Sequence, residues 1–485
     1  MDQSEFTNRL LGGLGAWTEG KGPLYRRLAA ALRRSIDQGL IPPGTRLPAE
    51  RALADLIHVS RGTVVAAYGL LEEEGLVDRR QGSGTVVRAP AVPRPDDVVP
   101  KAALLSALVA GPEPPIDLSL AAPPSTELPL DHTISLQDIA AVSSLLGYAP
   151  MGLPAMRTAI AERFTAEGFE TSPEEVLITT GAQQGIALIA ALELGAGDFV
   201  ALESPTYPGV IEAFARAGAR LLPLDLDHGG ARADSLRRAL ERHPVRLLHI
   251  TPTCQNPTGR VMSERRRGEL LALAREHDVS VIEDTVMENL AFGMKPPPRL
   301  AELTGGDHNL YTVGSFSKTL WGGLRVGWVR ASASAVLRLG RLKVAQDLGT
   351  PAPTQALALS LLPLLDETID RRQEALRERM GVLTAELTRE LPEWEWAKPQ
   401  GGYALWVKLP RGASGDEFAQ LALRHGVAVS PGSSFSPAEE HLDHIRVCFG
   451  LDPDTLRRAV PKLAEAWREM ETGAVAGRAA RVVAV

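Results

Sequence analysis

The sequence has little of what marks several common protein classes. Only two cysteines, Cys254 and Cys448, occur among 485 residues. Neither a disulfide framework nor a cysteine metal cluster is indicated, and a reducing compartment fits. The chain shows no long uncharged apolar run and no basic-then-apolar leader. We therefore expect a soluble, cytoplasmic protein. Hydrophobic residues make up 44% of the chain, enough for a sizeable core, and the length favours two or three domains.

The net charge of −7 would by itself argue against a nucleic-acid partner, but the charge is unevenly distributed. Residues 21–88 carry 11 Lys and Arg against 7 Asp and Glu, so the remainder of the chain is acidic. A mildly basic N-terminal region leaves DNA binding open.

This basic region has the pattern of a small helical domain followed by a hairpin. PLYRRLAAALRRSIDQG repeats apolar residues at helical spacing. AERALADLI predicts a short second helix with Leu53, Leu56 and Ile57 inward, and SRGTVVAAYGLLEEEGL predicts a third helix capped by Ser60. LVDRRQGSGTVV alternates around glycines, as two strands of a wing would.

The third predicted helix suits major-groove recognition, because Arg61 in its first turn can fork onto guanine and Thr63 can contact phosphate or a thymine methyl group. Arg51 on the second helix can reach the backbone or a base, and the arginines of the wing can reach phosphates or the minor groove. A protein-docking domain with solvated arginines is the alternative. The candidate DNA-binding residues are Arg51, Ser60, Arg61, Thr63, Arg79 and Gly82.

The rest of the chain predicts a linker and an α/β body. Prolines cluster at both ends of residues 89–115, which we interpret as a linker between a domain over 1–88 and a body over 116–472. In the body, short apolar strands alternate with helical patterns, which predicts a mostly parallel sheet followed by a smaller α+β part from about Thr354. Residues 473–485 are expected to form a flexible tail.

Lys318 stands in GSFSKTLWGGLRVGW between two serines and Arg325. It could be a surface lysine in a loop. It could also form a Schiff base with a phosphate-bearing pyridine cofactor, and such a site needs several partners. The ring nitrogen needs a carboxylate, for which Asp284 at the end of VSVIED is the candidate. The phenolic oxygen needs a donor such as Asn256, and the ring face needs an aromatic such as Tyr207.

The phosphate would need amides at a helix start, a hydroxyl and an arginine. The candidates are Gly181, Ala182 and Gln183 in TTGAQQG, with Ser315 and Arg325. A ligand carboxylate would need a forked cation, for which Arg446 in HIRVCFG is the candidate.

Each of these motifs has a structural alternative. Asp284 could cap a helix, Asn256 could belong to a turn, and Tyr207 and Arg446 could be ordinary packing and strand residues. Their joint order along the chain favours the cofactor site.

Both parts of the chain resemble known families. LPAERALADLIHVSRGTVVAAYGLLEEEGLVDRRQGSGTVV resembles the winged helix-turn-helix of the GntR family, and the body resembles fold-type I aminotransferases. That order of parts is similar to the MocR subgroup of GntR regulators. The resemblance implies pyridoxal 5′-phosphate on Lys318 and a two-fold dimer. In GYAPMGLPAMRTAIAERF, it implies that Tyr148 reaches the phosphate of the partner subunit's site.

The sequence departs from the family at one position. Members with the GntR head often carry a tyrosine two residues after the ring-nitrogen aspartate, and ordinary aminotransferases carry one three residues after it. Here these positions are Val286 and Met287, and neither side chain can donate a hydrogen bond to the phenolic oxygen. This departure disfavours efficient transamination.

We interpret the sequence as a transcription factor that binds pyridoxal 5′-phosphate and senses a small amino compound or the vitamin B6 cofactor itself. One alternative is an active aminotransferase with an accessory head. The other is a regulator whose body has lost the cofactor and only dimerises.

Overall fold

The computed structural model describes residues 17, 23–37, 41, 44–73, 76–80, 84–87, 116–128, 132–143, 146–304, 309–438 and 440–482. The chain divides into two compact units, Met1–Asp97 and Val98–Val485. Here they are called the head and the body. The linker predicted for 89–115 lies outside the described residues.

The head contains three helices and a two-stranded antiparallel wing, as predicted. They are α1 (Leu24–Asp37), α2 (Glu50–Leu56), α3 (Arg61–Glu73), β1 (Val77–Arg80) and β2 (Gly84–Val87). Val64, Tyr68 and Leu71 of α3 are fully buried in the head's core. The Tyr68 hydroxyl donates to the Pro48 carbonyl at 2.9 Å, so α3 is tied to the segment that leads into α2.

The large lobe of the body is built on an eight-stranded sheet in the order β4-β11-β10-β9-β8-β5-β6-β7. Every pairing from β10 through β9, β8 and β5 to β6 is parallel, and only β11 and β7 are antiparallel to their neighbours. The predicted mostly parallel α/β fold is therefore confirmed. The strands are β4 (Val176–Thr179), β5 (Phe199–Ser204), β6 (Arg220–Asp227), β7 (Gly230–Ala231), β8 (Val245–Ile250), β9 (Ser280–Asp284), β10 (Leu310–Ser315) and β11 (Gly327–Arg330).

Helices cover both faces of this sheet, because each parallel crossover needs one. The helices of the large lobe are α4 (Leu136–Val142), α5 (Pro154–Ala166), α6 (Ala182–Glu193), α7 (Pro208–Arg216), α8 (Ala233–Arg242), α9 (Glu264–Glu276), α10 (Leu300–Thr304), α11 (Ala333–Asp347) and α12 (Ala352–Leu361). Continuous apolar strands such as β4 and β5 are buried throughout, as strands covered on both faces must be.

The small lobe follows the long helix α13 (Leu365–Glu390). It contains a four-stranded sheet in the order β12-β13-β16-β15 and a separate parallel pair of β14 with β3, the body's first strand. Its elements are β3 (Ile116–Asp117), β12 (Glu395–Trp396), β13 (Ala404–Lys408), α14 (Gly415–Arg424), β14 (Val427–Ala428), β15 (Ser430–Pro431), β16 (His444–Cys448) and α15 (Pro453–Val482). Both ends of the body sequence therefore contribute to this lobe.

The C-terminal helix extends into the predicted tail. Residues 473–482, expected to be a flexible tail, continue helix α15 to Val482. The segment is rich in alanine and arginine, which have high helix propensity and extend a helix already nucleated by packing. Among the described residues, the structure holds no helix whose length and apolarity would let it cross a membrane.

Candidate cofactor site and nucleic-acid interface

The candidate site lies at one edge of the large sheet. Strands β4, β5, β8, β9 and β10 run in the same direction, so their carboxyl ends meet at this edge, where α/β sheets bind ligands. Each predicted cofactor residue of the large lobe, apart from Arg325 and Tyr148, ends one of these strands or follows it. They are Gly181 to Gln183 after β4, Tyr207 after β5, Asn256 after β8, Asp284 at the end of β9, and Ser315 with Lys318 at and after β10.

The N-terminus of α6, which is capped by a glycine, lies against the side chain of Arg325. Gly181 caps the helix with φ of 88°, and a Cβ there would lie 2.6 Å from Arg325 Nη2. Arg325 has a left-handed φ of 51° and donates through Nη2 to the Thr180 carbonyl at 2.7 Å. Only glycine lets the guanidinium approach the helix's first amides so closely. This is a cationic, amide-lined pocket of the kind that binds phosphate.

Other polar groups converge on the same edge. The Ser315 hydroxyl donates to the Val326 carbonyl at 3.0 Å. Gln183 Nε2 donates to the Gly209 carbonyl at 2.7 Å. Among the described residues, the buried Gln183 Oε1 and Thr206 Oγ1 atoms have no hydrogen-bond partner. Buried polar atoms are rarely left unsatisfied without a functional reason, so this edge is equipped to bind a polar ligand.

Asp284 is buried at the end of β9. Burial raises the pKa of its carboxyl to about 6, against the hydrogen bond from the Val286 amide and the charge of Lys318, which both favour ionisation. A ligand cation beside this carboxylate would offset the cost of burying it. His249 Nε2 lies 4.0 Å from Asp284 Oδ2, and burial lowers the His249 pKa to about 3. The histidine is therefore neutral and does not compete as a counter-ion.

Tyr207 precedes α7 and is partly buried. Burial raises the pKa of its phenol, and the charge of Asp284 raises it further while Arg446 and Arg325 lower it. Its ring thus lies within electrostatic reach of the carboxylate and both arginines.

Lys318 lies in the turn after β10. Burial lowers the pKa of its amine to about 8, and the charge of Arg446 adds to the effect. A substantial fraction of the amine is therefore neutral near physiological pH, which a nucleophilic lysine requires. Its Nζ donates to the Ala121 carbonyl at 2.6 Å.

Arg446 belongs to β16 of the small lobe and is only 2% exposed. Nη1 donates to Asn256 Oδ1 at 3.0 Å, and Nη2 donates to the Ser119 carbonyl. Its guanidinium lies over the Phe435 ring, 4.6 Å from the centroid. The arginine thus joins the small lobe to the large lobe at the site.

Three residues that contact the site were not predicted from the sequence. Tyr403 is fully buried, and its hydroxyl donates to the Lys318 carbonyl at 2.7 Å. Ser119 and Ala121 contribute backbone carbonyls, which leave no trace in residue type. The Gly-Gly pair before Tyr403 was a usable signal, because Gly401 packs against Cys254 with no room for a Cβ.

Met287 and Tyr148, both singled out in the sequence, differ in burial. Met287 is buried beside Gly402 and helps line a small cavity with Asn256 and Tyr403. Tyr148 is 65% exposed on this chain, in the loop before α5.

Of the predicted DNA-contacting residues of the head, Ser60, Arg61 and Thr63 lie at the start of α3, Arg51 lies on α2 and Arg79 lies in the wing. Ser60 Oγ accepts from the Thr63 amide at 3.1 Å, so it caps the helix as expected. Arg61 is exposed and pairs with Glu50 at 3.0 Å, and Arg51 is exposed on α2. Arg79 lies in β1 opposite Thr85. Gly82 lies outside the described residues.

A winged helical head and a two-lobed body with a lysine at the carboxyl edge of its sheet define a DNA-binding protein built on an aminotransferase fold. Residues 24–87 match the bacterial regulatory proteins of the gntR family, and residues 116–463 match aminotransferase class I and II.

The similarity to known proteins extends over nearly the whole chain. The HTH-type transcriptional regulator YdcR of Escherichia coli is 31% identical over 86% of this chain and 92% of its own. The probable rhizopine catabolism regulatory protein MocR of Rhizobium meliloti is 28% identical over 93% and 95%. LysN, the α-aminoadipate aminotransferase of Thermus thermophilus, superposes with a TM-score of 0.69 at 30% identity, covering 77% of this chain and 96% of its own.

The chain belongs to the MocR-type transcriptional regulators of the GntR family, which join a DNA-binding head to an aminotransferase-like body. Its cofactor is pyridoxal 5′-phosphate, as the fold and its neighbours imply. The residues present fit that group: the Gly181–Arg325 pocket suits its phosphate, buried Asp284 suits its ring nitrogen, and Lys318 has a lowered pKa.

Proposed function

We propose that the body is a sensor in which Lys318 anchors the cofactor and Arg446 binds the carboxylate of a small amino compound. The observation that carries the proposal is the position of Arg446. It is almost fully buried, and its charge acts on the amine of Lys318. Its terminal nitrogens contact the site residue Asn256 and the Ser119 carbonyl, and a buried guanidinium is suited to a forked contact with a carboxylate.

The other site residues have supporting roles in this proposal. The amides of Gly181, Ala182 and Gln183 hold the phosphate together with Ser315 and Arg325. Tyr207 packs on the ring face, Asn256 faces the phenolic oxygen and Asp284 holds the ring nitrogen protonated. When bound, the cofactor supplies an electrophilic carbon and an electron-withdrawing ring to an amine. Binding changes DNA affinity only if the ligand favours one of two body conformations.

We further propose that two bodies form a dimer and that Tyr148 of each reaches the other's phosphate site. The lobe that carries Tyr148 also exposes several other apolar side chains. They include Leu136 and Leu146, with Leu337, Val344 and Leu348 on and just after α11. Such a set favours burial in an interface. Head residues Arg51, Ser60, Arg61, Thr63, Arg79 and Gly82 would then contact paired DNA half-sites.

The test uses the full-length protein loaded with cofactor and a duplex that it selects from a random library. Amino compounds with and without a carboxylate are added, and DNA affinity is measured for wild type, Lys318→Ala and Arg446→Gln. We expect the response to carboxylate-bearing amines to disappear in both variants while ligand-free DNA binding persists. A full response in Lys318→Ala would refute the proposal.

The second candidate function is catalytic transamination, favoured by the presence of Asp284, Lys318 and Arg446 at one edge. Val286 and Met287 oppose it, because neither can donate to the phenolic oxygen. We expect slow or absent turnover in wild type, and Met287→Tyr to increase it. Rapid multiple turnover by wild type with an amino acid and a keto acid would favour the enzyme instead.

A further inference from the structure

The first twelve described residues after the linker, 116–127, cross the cofactor site. We call this segment the strap. It begins as part of the small lobe: β3 pairs with β14, and the Leu118 amide donates to the Ala428 carbonyl at 2.9 Å. The Cys448 amide in turn donates to the Leu118 carbonyl at 2.8 Å. Ile116 and Leu118 are buried in the small-lobe core.

The middle of the strap contacts both cations of the proposed sensor site. The Ser119 carbonyl accepts from Arg446 Nη2, and the Ala121 carbonyl accepts from Lys318 Nζ at 2.6 Å. A carboxylate that forks onto Arg446 would use the same Nη2 atom. Nη2 carries two N–H bonds, which in this structure meet the Ser119 carbonyl and, at 3.5 Å, Ser430 Oγ, so an incoming carboxylate must take a hydrogen from one of these acceptors. A carboxylate accepts hydrogen bonds more strongly than a neutral carbonyl, so it can displace Ser119.

The far end of the strap is fixed by charge. Glu127 forms ion pairs with both Arg372 and Arg379 of α13. Arg372 is buried, and Arg379 also donates to the Gly450 carbonyl of the small lobe at 2.8 Å. Removing the Glu127 carboxylate would leave the largely buried guanidiniums of Arg372 and Arg379 without their anionic partner, which is strongly unfavourable. Glu127 is therefore the firm anchor of the strap.

We propose that the strap is the output element of the sensor: a carboxylate bound at Arg446 displaces the Ser119 carbonyl and loosens residues 116–119, which directly follow the linker from the head. Because Glu127 fixes the C-terminal end of the strap, the increase in backbone mobility is expected at its N-terminal end, at Ile116 next to the linker. This inference rests on the proposed role of Arg446, and it adds the route by which the site acts on the head.

The test is hydrogen exchange of the full-length protein, read on peptides that cover residues 116–122. Two probes are compared: N-(5′-phosphopyridoxyl)-L-leucine and N-(5′-phosphopyridoxyl)-3-methylbutylamine, which differs only by lacking the carboxylate. We expect the first to accelerate exchange of the 116–119 amides about fivefold or more, within the usual range of ligand coupling. The second should leave their exchange unchanged.

A matched pair of variants tests the anchor. Glu127→Gln should give fast exchange of residues 116–122 even without a probe. Glu374→Gln, an exposed carboxylate of the same helix, should behave as wild type. Slow, wild-type exchange in Glu127→Gln would overturn the anchor and the inference with it.

The probes also separate the two proposals. Equal affinity for both probes would overturn the role of Arg446 and the inference together. Tighter binding of the carboxylate probe with unchanged strap exchange, or equal acceleration by both probes, would overturn the inference alone.

Discussion

Arg61 and Glu50 are paired across the head: Nε and Nη2 of the arginine donate to the same carboxylate oxygen at 3.2 and 3.0 Å. The pair joins the first turn of α3 to the first residue of α2. It holds the guanidinium at the end of α3 that we expect to meet the bases, so Arg61 must exchange a carboxylate for a base edge on binding.

Arg61→Ala should weaken binding to the selected duplex by about 1–3 kcal/mol and relax specificity at one base position. Arg26→Ala removes the same charge from an exposed position on α1 and should weaken selected and random duplexes equally. The measurement is gel-shift titration against both duplexes at fixed salt. Unchanged affinity and specificity in Arg61→Ala would exclude α3 as the recognition helix.

Glu50→Gln should raise affinity for random duplex, because one negative charge leaves the surface that meets the phosphates. It should also lower the ratio of specific to non-specific affinity, because Arg61 loses the partner that orients it. The same titrations measure this ratio. A ratio equal to that of wild type would show that the ion pair has no orienting role.

Uptake of cofactor should depend on pH through Lys318. The amine reacts only when neutral, and burial and Arg446 lower its pKa to about 8, so the rate of covalent attachment should rise with pH and level off above about 9. Borohydride should fix the cofactor to Lys318 in wild type and in Lys295→Ala, whose lysine is exposed, but not in Lys318→Ala. A rate midpoint near the ordinary lysine value of 10.5 would contradict the argument.

Mixed dimers can test Tyr148. If each phosphate site is completed by the other chain, Tyr148→Ala alone should bind cofactor weakly. Mixing it with Lys318→Ala should restore one strong site per hybrid dimer, built from Lys318 of one chain and Tyr148 of its partner. Equilibrium binding on the mixture measures this restoration. If mixing restores nothing, Tyr148 acts within its own chain or not at all.

Glu203 should make the body less stable as pH rises. Burial raises the pKa of its carboxyl to about 8, despite hydrogen bonds from the Thr251 amide and Gln255. The folded chain keeps a proton that the unfolded chain releases above about 4.5, so the free energy of unfolding falls between pH 4.5 and 8 by up to about 1.4 kcal/mol per unit.

The neutral substitution Glu203→Gln should flatten that decline, and Glu241→Gln, on an exposed helix end, should not. Urea unfolding midpoints across the pH range provide the measurement. Parallel pH profiles for wild type and Glu203→Gln would show that Glu203 does not hold the proton.

Patterns of residue type predicted the strands of the large sheet, because apolar runs such as VRLLHIT and VSVIED end at turn residues and polar side chains. The inward face of α2 was predicted less well: Leu53 is buried, but Leu56 is 37% exposed, and Ala54 is buried. A seven-residue helix offers too few turns for periodicity to fix its face, and packing against α3 decides it.

The polar side chains of the site are recognisable in the sequence because each follows a strand whose end is predictable. The contacts of Ser119 and Ala121 are made by backbone carbonyls, and any residue carries one. The ion pairs of Glu127 join positions 245 and 252 residues apart, a distance at which no local pattern operates.

The pairing of β3 with β14 determines where a stable fragment of the body can begin. Ile116 and Leu118 precede β14 by more than 300 residues in the chain, yet they belong to the core that the C-terminal lobe completes. A body fragment begun at residue 120 would lack both and expose the apolar surface they cover, whereas one begun within the linker would keep them. Fragments made to separate the body from the head should therefore start before Ile116. A protease cut just after Leu118 should destabilise the C-terminal lobe, whose core these residues complete.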